Sequence, residues 1–407
     1  MSYSGEQKYE QRAFLPDEAR AVSPPSGTVS PALLQWAVER FGNRAELERR
    51  FPKLSRWLDG AELPTVRQLE AFARATLTPF GYFFLPEPPR EEIAIPDFRV
   101  RSGKPLRLTA KMQALIGMLQ IRQEWLSEYR QRSGRPRLEF IGKFDATVAP
   151  QKAARDMRAV LRLPDDWPRA SSTRADALAT LANQAEAAGV VVVFNSVLGN
   201  NTHQRLREED FSGFALVDQY APFIFINTGR ERAKAAQIFT LAHELAHLWL
   251  GQSGISRVTL GQEAGQEIER ACNRIAAAFL MPEALFRAAW QELHQEPLQE
   301  MTYRLSEQWK VSRAAIVVRA LELNLLDRVQ GDTLLEELRS SYEEREEKAA
   351  HAGGDFYRMQ MRRLGRPFVE AVIEALEEEE LSYREAEELL DVRAKALTRL
   401  LDRFTPS

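Results

Sequence analysis

The sequence predicts an α+β, mostly helical fold. Apolar residues recur at helical spacing through most of the 407 residues, strand-like runs are confined to about 189–227, and Pro- and Gly-rich breaks divide the helices into groups. A chain of this length holds more than one core. Residues 1–28 carry Ser, Pro, Gly and charge without apolar period and read as a flexible lead-in. Order is expected from Ser30-Pro31, a cap followed by a first-turn proline, and the helix that follows stops at Phe41-Gly42. Short helices at 44–50, 53–58 and 66–75 are separated by Asn43, Pro52, Gly60 and Pro64, the rhythm of a small helical bundle. Leu85-Pro86-Glu87-Pro88-Pro89 and Ile95-Pro96 exclude helix, so a boundary falls between about 85 and 105.

Helical patterns resume at 108–132, where Met112, Leu115, Ile116, Leu119 and Trp125 lie near one face, and at 150–162 and 173–188. The β-branched run Gly189–Phe194 reads as a buried strand. Phe211–Val217 is expected to alternate, and with Ala221–Asn227 it forms a hairpin around Asp218-Gln219-Tyr220. Everything after Thr228 is expected to be helical: 233–250, 267–280, 284–293, 298–324 and 332–350, then a break at Gly353-Gly354 and a last helical group at 356–404.

Composition excludes several classes. Lys+Arg 55 against Asp+Glu 58 gives a net charge of −3, so nucleic-acid binding has to be local. No apolar run approaches a membrane span, which excludes insertion, and the polar first twenty residues lack the core of a signal peptide, so a cytoplasmic location is expected. The single cysteine, Cys272, excludes an internal disulfide and any cysteine-cluster zinc module. A metal site would therefore draw on the five histidines and on carboxylates.

Two of those histidines sit in His243-Glu244-Leu245-Ala246-His247, inside a helical pattern free of Gly and Pro. Histidines at i and i+4 lie one turn apart on one helix face, so both imidazoles reach one ion while Glu244 projects beside them toward its water. A catalytic zinc site needs a third protein ligand and an open position. Glu269 is the best candidate, with Glu267 and Glu263 as rivals: helical phase puts Glu269, Asn273 and Ala276 on one face and turns Glu267 away. Ala276, Ala277 and Ala278 permit close packing of that helix. For stabilising an oxyanion, His203, Tyr220 and Tyr303 remain open choices, and Asn227 either orients substrate or holds a turn. The hairpin's exposed edge would also accept an extended peptide by strand addition.

Phe239–His247, followed by Ile268-Glu269-Arg270-Ala271-Cys272-Asn273 and Leu280-Met281-Pro282, resembles the ImmA/IrrE metallo-endopeptidases, and Phe211–Phe214 with Ala221–Asn227 resembles that family's hairpin. The resemblance runs from about 170 to 325. It implies a zincin-like peptidase core with a small sheet and an active-site helix. It also implies Zn²⁺ (Mn²⁺ as the alternative) on His243, His247 and Glu269, Glu244 as general base, and a small helix-turn-helix repressor as the protein substrate. Residues 29–85 resemble an Xre-type helix-turn-helix through Trp57–Thr65 and Gln68-Leu69-Glu70. The expected organisation is that unit after the 1–28 lead-in, a linker and helical connector at 86–168, the peptidase core at 169–296, a helix-turn-helix-like region at 297–350 and a C-terminal helical domain at 351–407.

The N-terminal unit departs from its pattern where DNA would be read, because Pro52 leaves about a turn and a half for a recognition helix. Arg49, Arg50, Lys53 and Arg56 are its candidate DNA contacts, diluted by Glu46, Glu48, Asp59 and Glu62. In the 297–350 region Val311 occupies a turn and Ser312 caps a second helix bearing Arg313 and Arg319. The leading reading is thus a metal-dependent endopeptidase acting on a protein partner. The alternative is a DNA- or toxin-binding regulator, antitoxin-like, that keeps the peptidase fold as a platform. A small-molecule metallohydrolase is a weaker third.

Overall fold

Capping chemistry sets the helix boundaries of the N-terminal bundle. In the computed structural model, which describes residues 29–89, 110–206, 211–229, 233–256, 267–345 and 356–404, α1 (Pro31–Phe41) starts where the Ser30 side chain accepts from Ala32 N and ends at left-handed Gly42. The expectations for 1–28, Ile95-Pro96, Glu263 and Gly353-Gly354 lie outside the described residues. Asn43 caps α2 (Arg44–Arg50), α3 (Leu54–Leu58) is a single short element, and a Thr65–Gln68 capping box opens α4 (Val66–Thr76). Trp57, Phe51 and Phe72 form an aromatic core beneath them. Residues 29–89 with 110–114, the first turn of α5 (Ala110–Arg132), make one compact unit, and the described residues from 115 onward make a second.

In the second unit α6 (Pro150–Val160), α7 (Trp167–Ala170) and α8 (Arg174–Ala187) precede β1 (Val191–Asn195). A small antiparallel pair, β2 (Val197–Leu198) and β3 (Asn201–Arg205), leads to the hairpin β4 (Gly213–Leu216) and β5 (Phe223–Asn227). Then come α9 (Lys234–Trp249), β6 (Gly254–Ser256) and α10 (Glu267–Leu280). The main sheet has the order β1-β5-β4-β6, with β1 and β5 parallel and the other pairs antiparallel.

Three strand expectations need correction. The segment after Thr228 is not all helix, because Gly254–Ser256 pairs with Gly213–Ala215. That pairing also occupies the β4 edge thought to be open, so among the described residues the sheet ends at β6 on that side. Burial along β4 does not alternate: all four residues are buried, since both faces of the sheet are covered. Ile224 and Ile226 face the core shared with α9, while Phe211, Phe214 and Phe225 cluster among themselves and Phe223 meets Phe368. The strands β2, β3 and β6 left no sequence signal because β2 is two residues long and β3 and β6 are short and polar or Gly-containing. Their hydrogen-bonded partners define them, not an apolar pattern.

The remaining helices are α11 (Glu283–Glu292), α12 (Leu298–Trp309), α13 (Arg313–Glu322), α14 (Arg328–Arg345), α15 (Phe356–Leu364), α16 (Arg366–Glu377), α17 (Tyr383–Leu390) and α18 (Ala394–Phe404). Met281-Pro282 ends α10 and starts α11, as the sequence suggested. Buried arginines tie these layers together. Arg158 donates to Ala278 O and Phe279 O at the end of α10, and Arg319 donates to Met281 O just beyond it. Both satisfy carbonyls that a helix C-terminus leaves without intrahelical donors. Two close-packed glycines meet at the C-terminal end of α9: Gly142 N donates to Leu248 O, and a Cβ on Gly251 would lie 2.8 Å from Gly142 Cα. Among the described residues no helix is long and apolar enough to cross a membrane.

Candidate metal centre

Helix α9 is buried along nearly its whole length, as expected for a helix apolar on every side. Against Ile238, Leu241, Leu245 and Leu248, the polar residues Thr240, His243, Glu244 and His247 stand out because burying them is costly unless they are used. His243 and His247 fall one turn apart and face α10, which brings Glu269 to them. The Nε2 atoms of the two histidines are 3.1 Å apart, and each lies 3.2 Å from a carboxylate oxygen of Glu269.

Those separations suit a metal. Ligand atoms at the usual zinc distance of about 2.0 Å and tetrahedral angles are separated by roughly 3.3 Å. Two imidazoles and a carboxylate are also a common donor set for a catalytic zinc, and this is the group of three such side chains that could hold an ion among the described residues. Asn273, one turn beyond Glu269, sets the tautomer. Its Oδ1 lies 3.0 Å from His243 Nδ1, and since an amide oxygen only accepts, Nδ1 carries the proton and Nε2 is left to coordinate.

The electrostatics agree with strong mutual pairing. Burial pushes the His243 pKa down, but the hydrogen bond and charge of Glu269, the charge of Glu244 and the Asn273 contact outweigh it and leave it raised. Burial dominates at His247, assisted by the charge of His243, and its pKa is lowered. Burial acts to raise the Glu269 carboxyl, yet the two histidines hold it well below the usual carboxylate range. Cys272 is pushed well up by burial and then by the Glu269 and Glu244 charges, so it stays a neutral thiol in the core.

Glu244 is fully buried beside the cluster and meets β4 at Gly213. A Cβ at Gly213 would sit 3.2 Å from Glu244 Oε1, 3.0 Å from Thr240 Cγ2 and 2.7 Å from Phe225 O. Glycine here lets the strand approach the carboxylate. Sequence alone gives Gly213 no role, and it puts Asn273 on the face of Glu269 without giving it one. The i, i+4 spacing from Glu269 was the available signal for Asn273.

Other expected residues separate. Glu267 is exposed on α10, away from the histidines. Asn227 holds a turn, donating to Phe211 O and accepting from Gly229 N. Tyr220 lies beyond the far end of β4 from Gly213, accepting from Arg137, and Tyr303 is 51% exposed on α12. The His203 side chain lies outside the described residues. In the N-terminal unit Arg49, Arg50, Lys53 and Arg56 are exposed, but Lys53 and Arg56 both pair with Glu62.

The second helix of the α12–α13 pair is buried or half-buried along its length up to Leu321. The left-handed turn at Lys310 and the Ser312 cap are present, yet none of Arg313–Ala320 is fully exposed. Arg319 is entirely buried, and Arg313 donates to Gln299 O and Thr302 Oγ1. Arg319 is therefore no solvated contact residue while Arg313 stays half-exposed, because α13 packs on α12 and α14 and its Val317 joins Leu334 and Leu335.

Residues 185–321, from the last turn of α8 through α13, match the family model of the IrrE N-terminal-like domain, Peptidase_M78. The match supports the ImmA/IrrE resemblance and a metallopeptidase-type function, and the Xre-like N-terminal segment lies outside it. No curated protein and no solved structure matches the chain.

Proposed function

We propose, from the IrrE-like domain at 185–321, that this chain is a metal-dependent endopeptidase that cuts a protein partner, a small helix-turn-helix repressor. The observation that carries the reading is the His243–His247–Glu269 cluster at tetrahedral-edge spacing, with the Glu244 carboxylate on the same buried helix. His243, His247 and Glu269 would hold the ion, with Zn²⁺ favoured by the two imidazoles and Mn²⁺ the alternative. Bound there, the ion supplies Lewis acidity and makes water acidic enough to ionise near neutral pH.

The chain's residues do the rest. Glu244 accepts the proton of the attacking water and returns it to the amine nitrogen as the peptide bond breaks. Its position is held by α9 behind it and by the bare backbone of Gly213 in front. Asn273 keeps His243 in the tautomer that offers Nε2, and burial keeps His247 neutral and ready to coordinate.

The test incubates the purified protein with helix-turn-helix proteins, particularly one encoded nearby, in Zn²⁺, Mn²⁺ or chelator. Cleavage is expected with metal, to be lost with chelator and to be lost in Glu244→Gln. Binding of a partner, a toxin or an operator without cleavage, together with a cellular effect that survives Glu244→Gln, would instead establish the platform reading.

A further inference from the structure

One cavity in the second unit is walled by cations from three separate helices. It has a volume of about 520 Å³, within the range of small-molecule sites, and opens between the starts of α8, α9 and α13 and the last turns of α12. Arg174, Lys234 and Arg313 line it. Each is the first residue of its helix, α8, α9 and α13 in turn.

The charges in this wall do not cancel. Glu307 is the one acid among the lining residues, and Arg174 already holds it at 2.7 Å. Among the described residues Lys234 and Arg313 have neutral acceptors only: Gln237 Oε1 for the ammonium, Gln299 O and Thr302 Oγ1 for the guanidinium. Nor are the two guanidinium groups used up, since Arg174 Nε and Arg313 Nε are buried and meet no acceptor among the described residues. A buried N–H without an acceptor is costly, so the protein leaves donors here that an acceptor from outside would satisfy.

The start of α9 adds to this. Ala233 gives it no side-chain cap, no acidic residue stands in its first turn, and Ala233, Lys234 and Ala235 all border the cavity. The positive end of a 16-residue helix therefore meets the cavity uncompensated. Burial, then the charge of Arg362, pushes the Lys234 ammonium below its ordinary value, a conflict between cations that an anion relieves.

We propose that this cavity binds a phosphate-bearing small molecule, with Lys234, Arg313 and the open N-terminus of α9 holding the phosphate. The donors come from different helices, and a tetrahedral phosphate presents oxygens in several directions where a carboxylate presents two. The cavity is larger than the free ion, so the remainder of a phosphate ester fits beside it. Lys234 lies nine residues before His243 on α9, about 14 Å along the axis. The site is thus separate from the metal centre, and either reading can fail alone.

Calorimetric titration of the full-length protein with inorganic phosphate, adenosine monophosphate and succinate tests it, with the neutral chelator phenanthroline present so that no anion is held by a metal. Wild type is expected to bind both phosphates and to melt higher in their presence. Lys234→Gln/Arg313→Gln is expected to weaken binding by more than about tenfold, and Lys234→Gln alone to weaken it in part. Without ligand, Lys234→Gln should melt no lower than wild type, because it removes a cation that Arg362 repels, so its lost affinity is not a lost fold. Arg49→Gln/Arg50→Gln should bind like wild type. Tighter binding of adenosine monophosphate than of phosphate identifies an ester as the ligand, and equal binding identifies the free ion; both support the site. The proposal is overturned by absence of binding of either at about 10 mM, by equal binding in the cavity variants, or by tighter binding of succinate than of phosphate.

Discussion

Asn273 touches no substrate and no metal position, yet it decides which nitrogen of His243 is available. Removing such an outer partner weakens metal binding by roughly ten- to a hundredfold. Asn273→Ala is therefore expected to lower Zn²⁺ affinity by that factor in a competition titration with a chromophoric chelator, while the fold, read by circular dichroism, is retained. Protons compete at the same atoms. Because pairing with Glu269 raises the His243 pKa, that imidazole holds its proton above the ordinary histidine value of about 6.5. Coordination needs the neutral ring, so apparent metal affinity should fall as pH is lowered, starting above the ordinary histidine range. An affinity that is flat down to acidic pH would contradict the pairing. At this scale the sequence was most informative: His243, Glu244 and His247 declared themselves by spacing, and helical phase singled out Glu269. Gly213 was opaque because a glycine's role lies in what approaches it, and nothing local records that Glu244 comes within reach.

Between residue and molecule, the contact of β4 with α9 positions Glu244, the proposed base. Gly213→Ala places a methyl against Phe225 O, Thr240 and Glu244 together, and backbone cannot yield as a flexible side chain does. The expected result is a loss of cleavage rate with metal content preserved, measured by metal analysis beside a peptide-release assay. Unchanged turnover in Gly213→Ala would show that the strand is not needed so close. Helices were legible element by element because caps such as Ser30, Thr65, Thr173, Ser312 and Ser382 carry local chemistry, and each accepts the backbone hydrogen bond expected of it. The short strands were not legible. Asn201–Arg205 and Gly254–Ser256 are strands because β2 and β4 lie alongside, and a pairing partner distant in sequence leaves no trace in a five-residue window. Spacing placed Arg319 on the second helix of the 297–350 region, but nothing local shows that it satisfies a buried carbonyl just beyond the end of α10.

Across the whole second unit, the C-terminal helices are joined to the sheet. Phe368 of α16 packs on Phe223 of β5 and on Trp125 of α5, and Arg122 donates to Leu389 O. Phe368→Ala should cost about 3–5 kcal/mol, seen as a lower denaturant midpoint for the unit that contains the metal centre. A midpoint equal to wild type would mean that these helices are dispensable for it. The sequence reading set 351–407 apart at its Gly-Gly break, since chain breaks mark where helices stop and say nothing of what they return to. The preassembled donors have one more consequence. His243 and His247 are fixed by the apolar helix that carries them, and Glu269 by an alanine-lined neighbour, so their spacing is imposed by a large core rather than gathered by the ion. An ion entering such a site does not have to fold the protein, unlike one in a small zinc module. Were the proposed metal to occupy this site, it could be stripped and exchanged on intact protein, and the ion found there would reflect cellular supply as much as the chain's own preference.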